Sequence, residues 1–256
     1  MARLGMLIDT SKCTACRGCQ VACKQWNELP AEKTKFFSGE GYQNPKDLSG
    51  VTLTLVTFKE RKTSVGMEWL FRKQQCMQCT EASCVNVCPV KALSKHADGY
   101  TMRDETKCIG CGMCVMSCPF KVPKLDEKKK AQTCRFCADR VQNNRTPACA
   151  KTCPSGAISF GNRDELLTKA KERVNILGGK ANLYGEKECG GLGVLYLLLD
   201  DPVVYGLPKA PKSAAGIPKE FFSPYDQIAL LGGMFGLMVN RREKMAEIKE
   251  EVGNRE

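Results

Sequence analysis

The chain has 256 residues, including 17 cysteines and one histidine, and its formal net charge is +11. Disulfide frameworks belong to short secreted domains with paired cysteines, so an odd cysteine count and the lack of a sustained apolar run before the first cysteines argue against one here. The charge would suit nucleic-acid binding, but the basic residues form no single block and many adjoin cysteines, among them Lys73, Lys91 and Lys121.

Sixteen of the cysteines fall into four groups, and each group is predicted to be a ligand loop that runs into a short helix. In chain order the groups are Cys13, Cys16, Cys19 and Cys23; Cys76, Cys79, Cys84 and Cys88; Cys108, Cys111, Cys114 and Cys118; and Cys134, Cys137, Cys149 and Cys153. The third group has the spacing C-x2-C-x2-C-x3-C-P. The remaining Cys189 is expected to be a small buried residue or a free thiol.

Several strands and one long helix are predicted around these groups. The predicted strands are RLGMLID at 3–9, GVTLTLVTF at 50–58, GYTMRD at 99–104 and AISFG at 157–161. The segment 89–107, between the second and third groups, predicts a hairpin. The segment 161–175 predicts an amphipathic helix, with Asn162 as N-cap and Glu165 three residues on.

The C-terminal region contains an apolar run, Ile228–Val239, that ends at a basic stretch. It is shorter than the roughly 20 residues that span a bilayer. The run is expected to dock on a partner or on the core, and a membrane-surface segment or a short anchor are the alternatives.

The spacing of the cysteines separates two kinds of thiolate site. Zinc sites usually combine two distant C-x2-C pairs or include histidine. In three of the four groups, only two or four residues separate the second cysteine from the third. A compact loop with three thiolates fits three corners of an iron–sulfur cube, so we expect [4Fe–4S] clusters rather than zinc.

The fourth corner of each cube determines how the groups pair. In the run C-x2-C-x2-C-x3-C-P the fourth cysteine ligates the other cluster of a two-cluster ferredoxin. The second and third groups are neighbours in the sequence, so the first group is left to pair with the fourth, and strand 3–9 could pair with strand 157–161. The predicted fold class is α+β, with one ferredoxin-like module inserted in the other.

This pairing predicts both a ligand set and domain boundaries. The ligands are Cys13, Cys16, Cys19 and Cys153 for cluster 1; Cys23, Cys134, Cys137 and Cys149 for cluster 2; Cys76, Cys79, Cys84 and Cys118 for cluster 3; and Cys88, Cys108, Cys111 and Cys114 for cluster 4. The predicted regions are module A at 1–30 and 131–165, an insertion with a strand at 31–70, module B at 71–130, and a C-terminal extension at 166–256.

The positive charge has a role in this interpretation. An oxidised four-iron cluster with four thiolates carries about −2, so four clusters would carry about −8. Much of the net charge of +11 is then expected to be counter-charge for buried anions.

Catalytic motifs are missing from the sequence. No C-x-x-C is followed by histidine, and His96 is alone in the predicted hairpin. The stretch GGLGV at 190–194 does not complete a dinucleotide-binding motif, and there is no P-loop. We therefore expect a chain that carries electrons between other subunits and catalyses no reaction by itself.

Four stretches resemble the β subunit of formate dehydrogenase, within the four-cluster iron–sulfur subunits of molybdenum or tungsten bis-pterin oxidoreductases. They are LIDTSKCTACRGCQVACKQWNELP, QNPKDLSGVTLTLVTF, CRFCADRVQNNRTPACAKTCPSGAISFGNRDE and GGLGVLYLLLDDPVVYGLP. With the second and third cysteine groups, the resemblance covers roughly residues 5–208.

The resemblance implies a double-ferredoxin fold with a pseudo-two-fold axis, the crossed ligation and four [4Fe–4S] clusters. It implies a catalytic partner that oxidises formate, and a second partner that is a cytochrome b, a soluble cytochrome, a hydrogenase or a diaphorase. Because members are exported with their catalytic subunit, both a cytoplasmic and a periplasmic or membrane-associated location are compatible with it.

Other functions stay open at this point. The same electron carrier could serve a polysulfide, thiosulfate, sulfoxide, nitrate or arsenate oxidoreductase. A zinc-bearing nucleic-acid module would instead be colourless, with an affinity that falls steeply with salt. An autonomous enzyme is disfavoured because the sequence lacks a catalytic constellation.

Overall fold

The computed structural model describes residues 3–34, 42–64 and 66–214. None of the helices in these ranges is both long and apolar enough to cross a membrane. The apolar run 228–239 lies outside the described residues.

The described chain combines short helices with ten short strands. The strands are β1 Leu4–Asp9, β2 Leu55–Thr63, β3 Gly66–Gln74, β4 Leu93–Lys95, β5 Thr101–Arg103, β6 Lys124–Leu125, β7 Ala131–Gln132, β8 Ile158–Asn162, β9 Asn182–Tyr184 and β10 Val194–Leu198. The α-helices are α1 Gly18–Trp26, α2 Ser83–Asn86, α3 Met113–Ser117, α4 Ala138–Gln142, α5 Ala148–Lys151 and α6 Arg163–Ile176. Turns of 3₁₀ helix lie at Thr10–Lys12 and Glu188–Gly190.

The largest sheet has the strand order β8, β1, β10, β9. Strand β1 is antiparallel to β8, from Leu4 opposite Asn162 to Ile8 opposite Ile158, which confirms the predicted pairing of these segments. The hairpin predicted at 89–107 is also confirmed, because β4 is antiparallel to β5.

The other side of β1 was not predicted. Strand β10 runs parallel to β1 there, and every residue of its VLYLL sequence is buried. A strand covered on both faces needs no polar alternation. The central sheet thus extends to Leu198, and the predicted start of a C-terminal extension at 166 falls inside α6.

The predicted strand at 50–58 is also corrected. It begins at Leu55 and extends to Thr63, and it forms a long hairpin with β3 that crosses the predicted boundary between residues 70 and 71. The preceding residues form a turn, because the backbone N–H groups of Ser49 and Thr52 each bond the carbonyl of the other.

Helix α6 begins where it was expected. The side-chain oxygen of Asn162 accepts a hydrogen bond of 2.9 Å from the N–H of Asp164, so Asn162 is the N-cap. One turn apart, Leu166 and Ala170 are buried against Leu7 and Leu195 of the central sheet. This narrow contact holds the helix against one face of the β1–β10 pair.

Replacing Asn162 by alanine removes the acceptor for the Asp164 N–H. We expect a loss of about 1 kcal/mol, or roughly 2–4 °C in melting temperature for a domain of this size. Circular dichroism melting of the anaerobic protein measures it. Asn162→Asp is the control because it keeps the acceptor and suits the helix N-terminus. Equal melting temperatures for the two variants would contradict the assigned cap.

Candidate iron–sulfur centres

The cysteine loops share an unusual backbone conformation. Left-handed residues occur in the loops of all four groups: Ala15 and Arg17, Gln78, Gly110 and Gly112, and Phe136 and Cys137. Alternation of left-handed and ordinary residues turns successive backbone N–H groups into one concavity, an arrangement common at iron–sulfur sites. Each loop then enters a short helix, as predicted from the sequence: α1, α2, α3 and α5 carry Cys19, Cys84, Cys114 and Cys149.

The helices of different groups contact each other in two pairs. Helix α1 of the first group packs against α5 of the fourth, and α2 of the second group packs against α3 of the third. This is the pairing of groups that the sequence predicted from the spacing of the cysteines.

One small cavity lies between the first and fourth groups. It is lined by Cys13, Cys16 and Cys19 together with Cys153. Apolar side chains, among them Ile8, form much of the remaining wall, and Arg17 and Lys73 add positive charge. The structure thus brings together the four residues predicted for cluster 1.

A second small cavity lies between the second and third groups. It is lined by Cys108, Cys111 and Cys114 together with Cys88. These are the four residues predicted for cluster 4. An all-thiol donor set with apolar walls and no histidine fits an iron–sulfur cluster better than a single zinc ion.

The remaining eight cysteines also form two neighbourhoods. Burial raises the pKa of Cys23 to about 12, and Cys149 and Cys137 add to the rise. Burial likewise raises the pKa of Cys134 well above its usual range, with contributions from Cys23, Cys149 and Cys137. These four residues are the set predicted for cluster 2.

The set predicted for cluster 3 is gathered around Cys84. Burial raises the pKa of the Cys84 thiol, and the neighbouring thiols of Cys76 and Cys118 raise it further. The pKa of Cys79 is raised by a hydrogen bond with Cys189, by burial and by Cys76. The seventeenth cysteine therefore adjoins this set, and its buried position agrees with the sequence expectation.

Within residues 3–34, 42–64 and 66–214, no three histidine, cysteine, aspartate or glutamate side chains are arranged to bind a single metal ion. The single histidine, His96, stacks on Tyr100 at 4.6 Å between ring centroids and lies 3.2 Å from the Asp98 carboxylate.

Only some of the basic residues near cysteines are placed as counter-charges. Lys73 is 2% exposed, whereas Lys91 and Lys121 are exposed to solvent. Burial works to lower the pKa of Lys73, but the thiols of Cys149, Cys19 and Cys134 and the hydroxyl of Tyr196 raise it above the ordinary lysine value.

Two further cations near the cysteines were missed from the sequence. Arg103 lines the second cavity and donates to the carbonyl of Ala131 at 2.7 Å. Lys95 donates to the carbonyl of Cys79 at 2.9 Å. Both lie in the predicted hairpin, where cross-strand partners share a face: Arg103 is opposite the buried Leu93. From the sequence, this cross-strand pairing could have indicated that Arg103 lies on the buried face of the hairpin.

The match to a known protein family covers the second, third and fourth cysteine groups. Residues 67–163 match the family described as 4Fe-4S dicluster domain. The chain is 40% identical over 220 residues to the nitrate-inducible formate dehydrogenase iron-sulfur subunit of Escherichia coli, covering 82% of this chain and 74% of the relative. It is 38% identical over 240 residues to the formate dehydrogenase iron-sulfur subunit of Haemophilus influenzae, covering 90% and 77%.

A third relative comes from Nitratidesulfovibrio vulgaris. It is formate dehydrogenase 2 subunit beta (cytochrome c-553), 37% identical over 212 residues that cover 78% of this chain and 94% of the relative. Together with the cavities, these similarities establish that the chain binds [4Fe–4S] clusters.

Two glycines in the third group allow a matched test of the second cavity. Gly110 and Gly112 have φ of +74° and +76°, but an added Cβ would lie 2.4 Å from the Lys129 carbonyl oxygen only at Gly110, and in open space at Gly112. Alanine at either position pays roughly 1–2 kcal/mol for the left-handed backbone. We expect Gly110→Ala alone to lose, in addition, most of the iron of one cluster.

The measurement is iron per chain after anaerobic purification, with melting temperature as a second readout. Gly112→Ala should keep its iron. Equal iron losses in the two variants would show that backbone strain, and not the contact with Lys129, controls the loop.

Proposed function

The chain belongs to the family of formate dehydrogenase iron–sulfur subunits, and on that premise we propose that it conducts electrons through four [4Fe–4S] clusters. The electrons pass between a molybdenum or tungsten bis-pterin subunit that oxidises formate and a further electron carrier. The chain is the electron-transfer subunit, and the bond-breaking chemistry takes place on its partner.

One observation carries the proposal. Each cavity combines three cysteines from one group with a fourth from another: Cys153 joins the first group and Cys88 joins the third. A chain with four such groups that exchange their fourth cysteines has ligands for four cubes, so we propose the complete ligand set predicted from the sequence.

The positions of the cysteines also support an order for the clusters. The thiol of Cys19, assigned to cluster 1, helps to raise the pKa of Cys23 of cluster 2. The thiol of Cys114 of cluster 4 likewise helps to raise the pKa of Cys84 of cluster 3. Gln78, in the loop of the second group, is fully buried and donates from Nε2 to the carbonyl of Cys134 at 2.8 Å. This hydrogen bond connects the loop of cluster 3 to a residue of cluster 2. We therefore propose the sequence of clusters 1, 2, 3 and 4 along the chain of electron transfer.

The protein's part in the mechanism is to bury and space the clusters. When bound, each cluster takes up or releases one electron at a time. Apolar side chains around the thiols exclude water, which limits hydrolysis of the clusters and lowers the reorganisation of solvent on each transfer. Formate oxidation on the partner yields carbon dioxide, one proton and two electrons, so two single-electron passages complete each turnover.

Purification of the native complex without oxygen tests the function. We expect about sixteen irons per chain, from four cubes of four irons, and a molybdenum or tungsten partner that reduces a dye with formate. A partner inert to formate would move the function to another oxidoreductase of the same superfamily. Zinc in place of iron would overturn the proposal.

Alanine replacements at three cysteines test the crossed ligation. We expect Cys153→Ala and Cys16→Ala to lose the same electron paramagnetic resonance signal, because both residues serve cluster 1. Cys137→Ala should lose a different signal, that of cluster 2. If Cys153→Ala and Cys137→Ala lose the same signal, the fourth group binds its own cluster and the ligand set is wrong.

A further inference from the structure

Lys73 is a buried cation placed between two of the proposed clusters. It lines the cavity of cluster 1 together with Cys19, and the thiols of Cys149 and Cys134 of cluster 2 act on its charge electrostatically. Arg17 also lines the cavity of cluster 1, and Arg103 and Lys95 each lie beside one other proposed cluster. Lys73 is therefore placed to act on two clusters at once.

The surroundings hold this side chain in position. Lys73 lies near the end of β3, opposite Val56 of β2, and the hydroxyl of Tyr196 donates to its backbone carbonyl at 2.5 Å. Its ammonium donates to Oε1 of Gln75, which is fully buried, and Nε2 of Gln75 contacts Sδ of Met6 at 3.2 Å. Movement of the ammonium would disturb its hydrogen bond with Gln75 and, through Gln75, the contact with Met6.

The charge of Lys73 lacks an acidic partner in the part of the chain that the structure describes, where no carboxylate pairs with it. By contrast, Arg103 pairs with Glu105. Burial of an unpaired charge is costly, and an ammonium has three N–H donors, of which one is used by Gln75. The anionic clusters on either side are the remaining source of compensation.

We propose that Lys73 raises the reduction potentials of clusters 1 and 2 together and so keeps the first part of the electron path reducible. The proposal rests on the cluster assignment given under the proposed function. Reduction adds a negative charge to a cluster, and a fixed positive charge nearby in a medium of low dielectric constant favours that added charge. Net charge and hydrogen bonding to the sulfurs are among the known determinants of cluster potential.

Redox titration of the holoprotein, followed by electron paramagnetic resonance, tests the proposal. Cys16→Ala and Cys137→Ala first identify the signals of clusters 1 and 2. At the wild-type midpoint of each cluster, Lys73→Met should lower the ratio of reduced to oxidised cluster about tenfold or more, equivalent to a shift of about 59 mV for one electron. Lys73→Arg keeps the charge and should stay within about twofold of wild type, well inside that shift.

Lys95→Met is the matched control, because Lys95 lies near Cys76, Cys79 and Cys84 of cluster 3 and not between clusters 1 and 2. It should leave the signals of clusters 1 and 2 unmoved. The proposal is overturned if Lys73→Met moves neither signal or only one, or if Lys73→Arg moves them as far as Lys73→Met does.

Loss of iron from a variant would be a different effect from a change in reduction potential. If Lys73→Met does not retain its clusters, Lys73→Gln is titrated in its place. If both neutral variants lose iron while Lys73→Arg retains it, the charge is needed for cluster assembly and the tuning role is rejected. Wild-type protein without sixteen irons or without the two signals would instead refute the proposed function itself.

Discussion

In the ligation we propose, a tight cysteine loop offers three thiolates to one cube, and the fourth comes from another group of the chain. This geometric constraint governs the fold. It requires distant segments to meet, and the contacts between α1 and α5 and between α2 and α3 bring them together. The antiparallel pairing of β1 with β8 does the same for the segments that carry the first and fourth groups. The sheets are small because they mainly hold these loops in register.

Burial of so much negative charge is the second constraint. Four thiolates and a cluster do not enter an apolar interior without compensation from donors, dipoles or cations. Left-handed residues in the loops are of the kind that turn backbone N–H groups into one concavity, and the buried cation Lys73 lines one of the cavities. Most of its lysines take no part in this, because they remain in solvent. Net charge therefore overestimates the compensation, and the position of single side chains decides it.

Sequence reasoning reached the parts of the fold that depend on local chemistry. The cysteine spacing predicted loops that enter helices, the Asn162 cap was recognisable, and β1 and β8 were both found as strands. It missed β10 because VLYLL is uniformly apolar, so no alternation distinguishes a covered strand from a buried helix. The parallel pairing of β10 with β1 joins segments nearly 190 residues apart, which no local pattern encodes.

The candidate site divides in the same way between local and tertiary information. The spacing rule predicted crossed sets of cysteines, and each cavity is lined by one of those sets, while the ligation stays a prediction. The position of Lys73 was not predictable, because strand alternation should place either Arg72 or Lys73 outside, yet both are buried. The end of β3 is covered on both faces, which is a tertiary property.

The central position of β1 has a consequence for biosynthesis. This strand is made before both of its neighbours, Ile158–Asn162 and Val194–Leu198, which lie much later in the chain. At about 5–20 residues per second, the first cysteines wait roughly ten to forty seconds for the strands that close their sheet. The hairpin between the second and third groups has both strands early. In the nascent chain, the hairpin of β4 and β5 can therefore form before the four-stranded sheet, and the cysteines of the first group are the last to be enclosed.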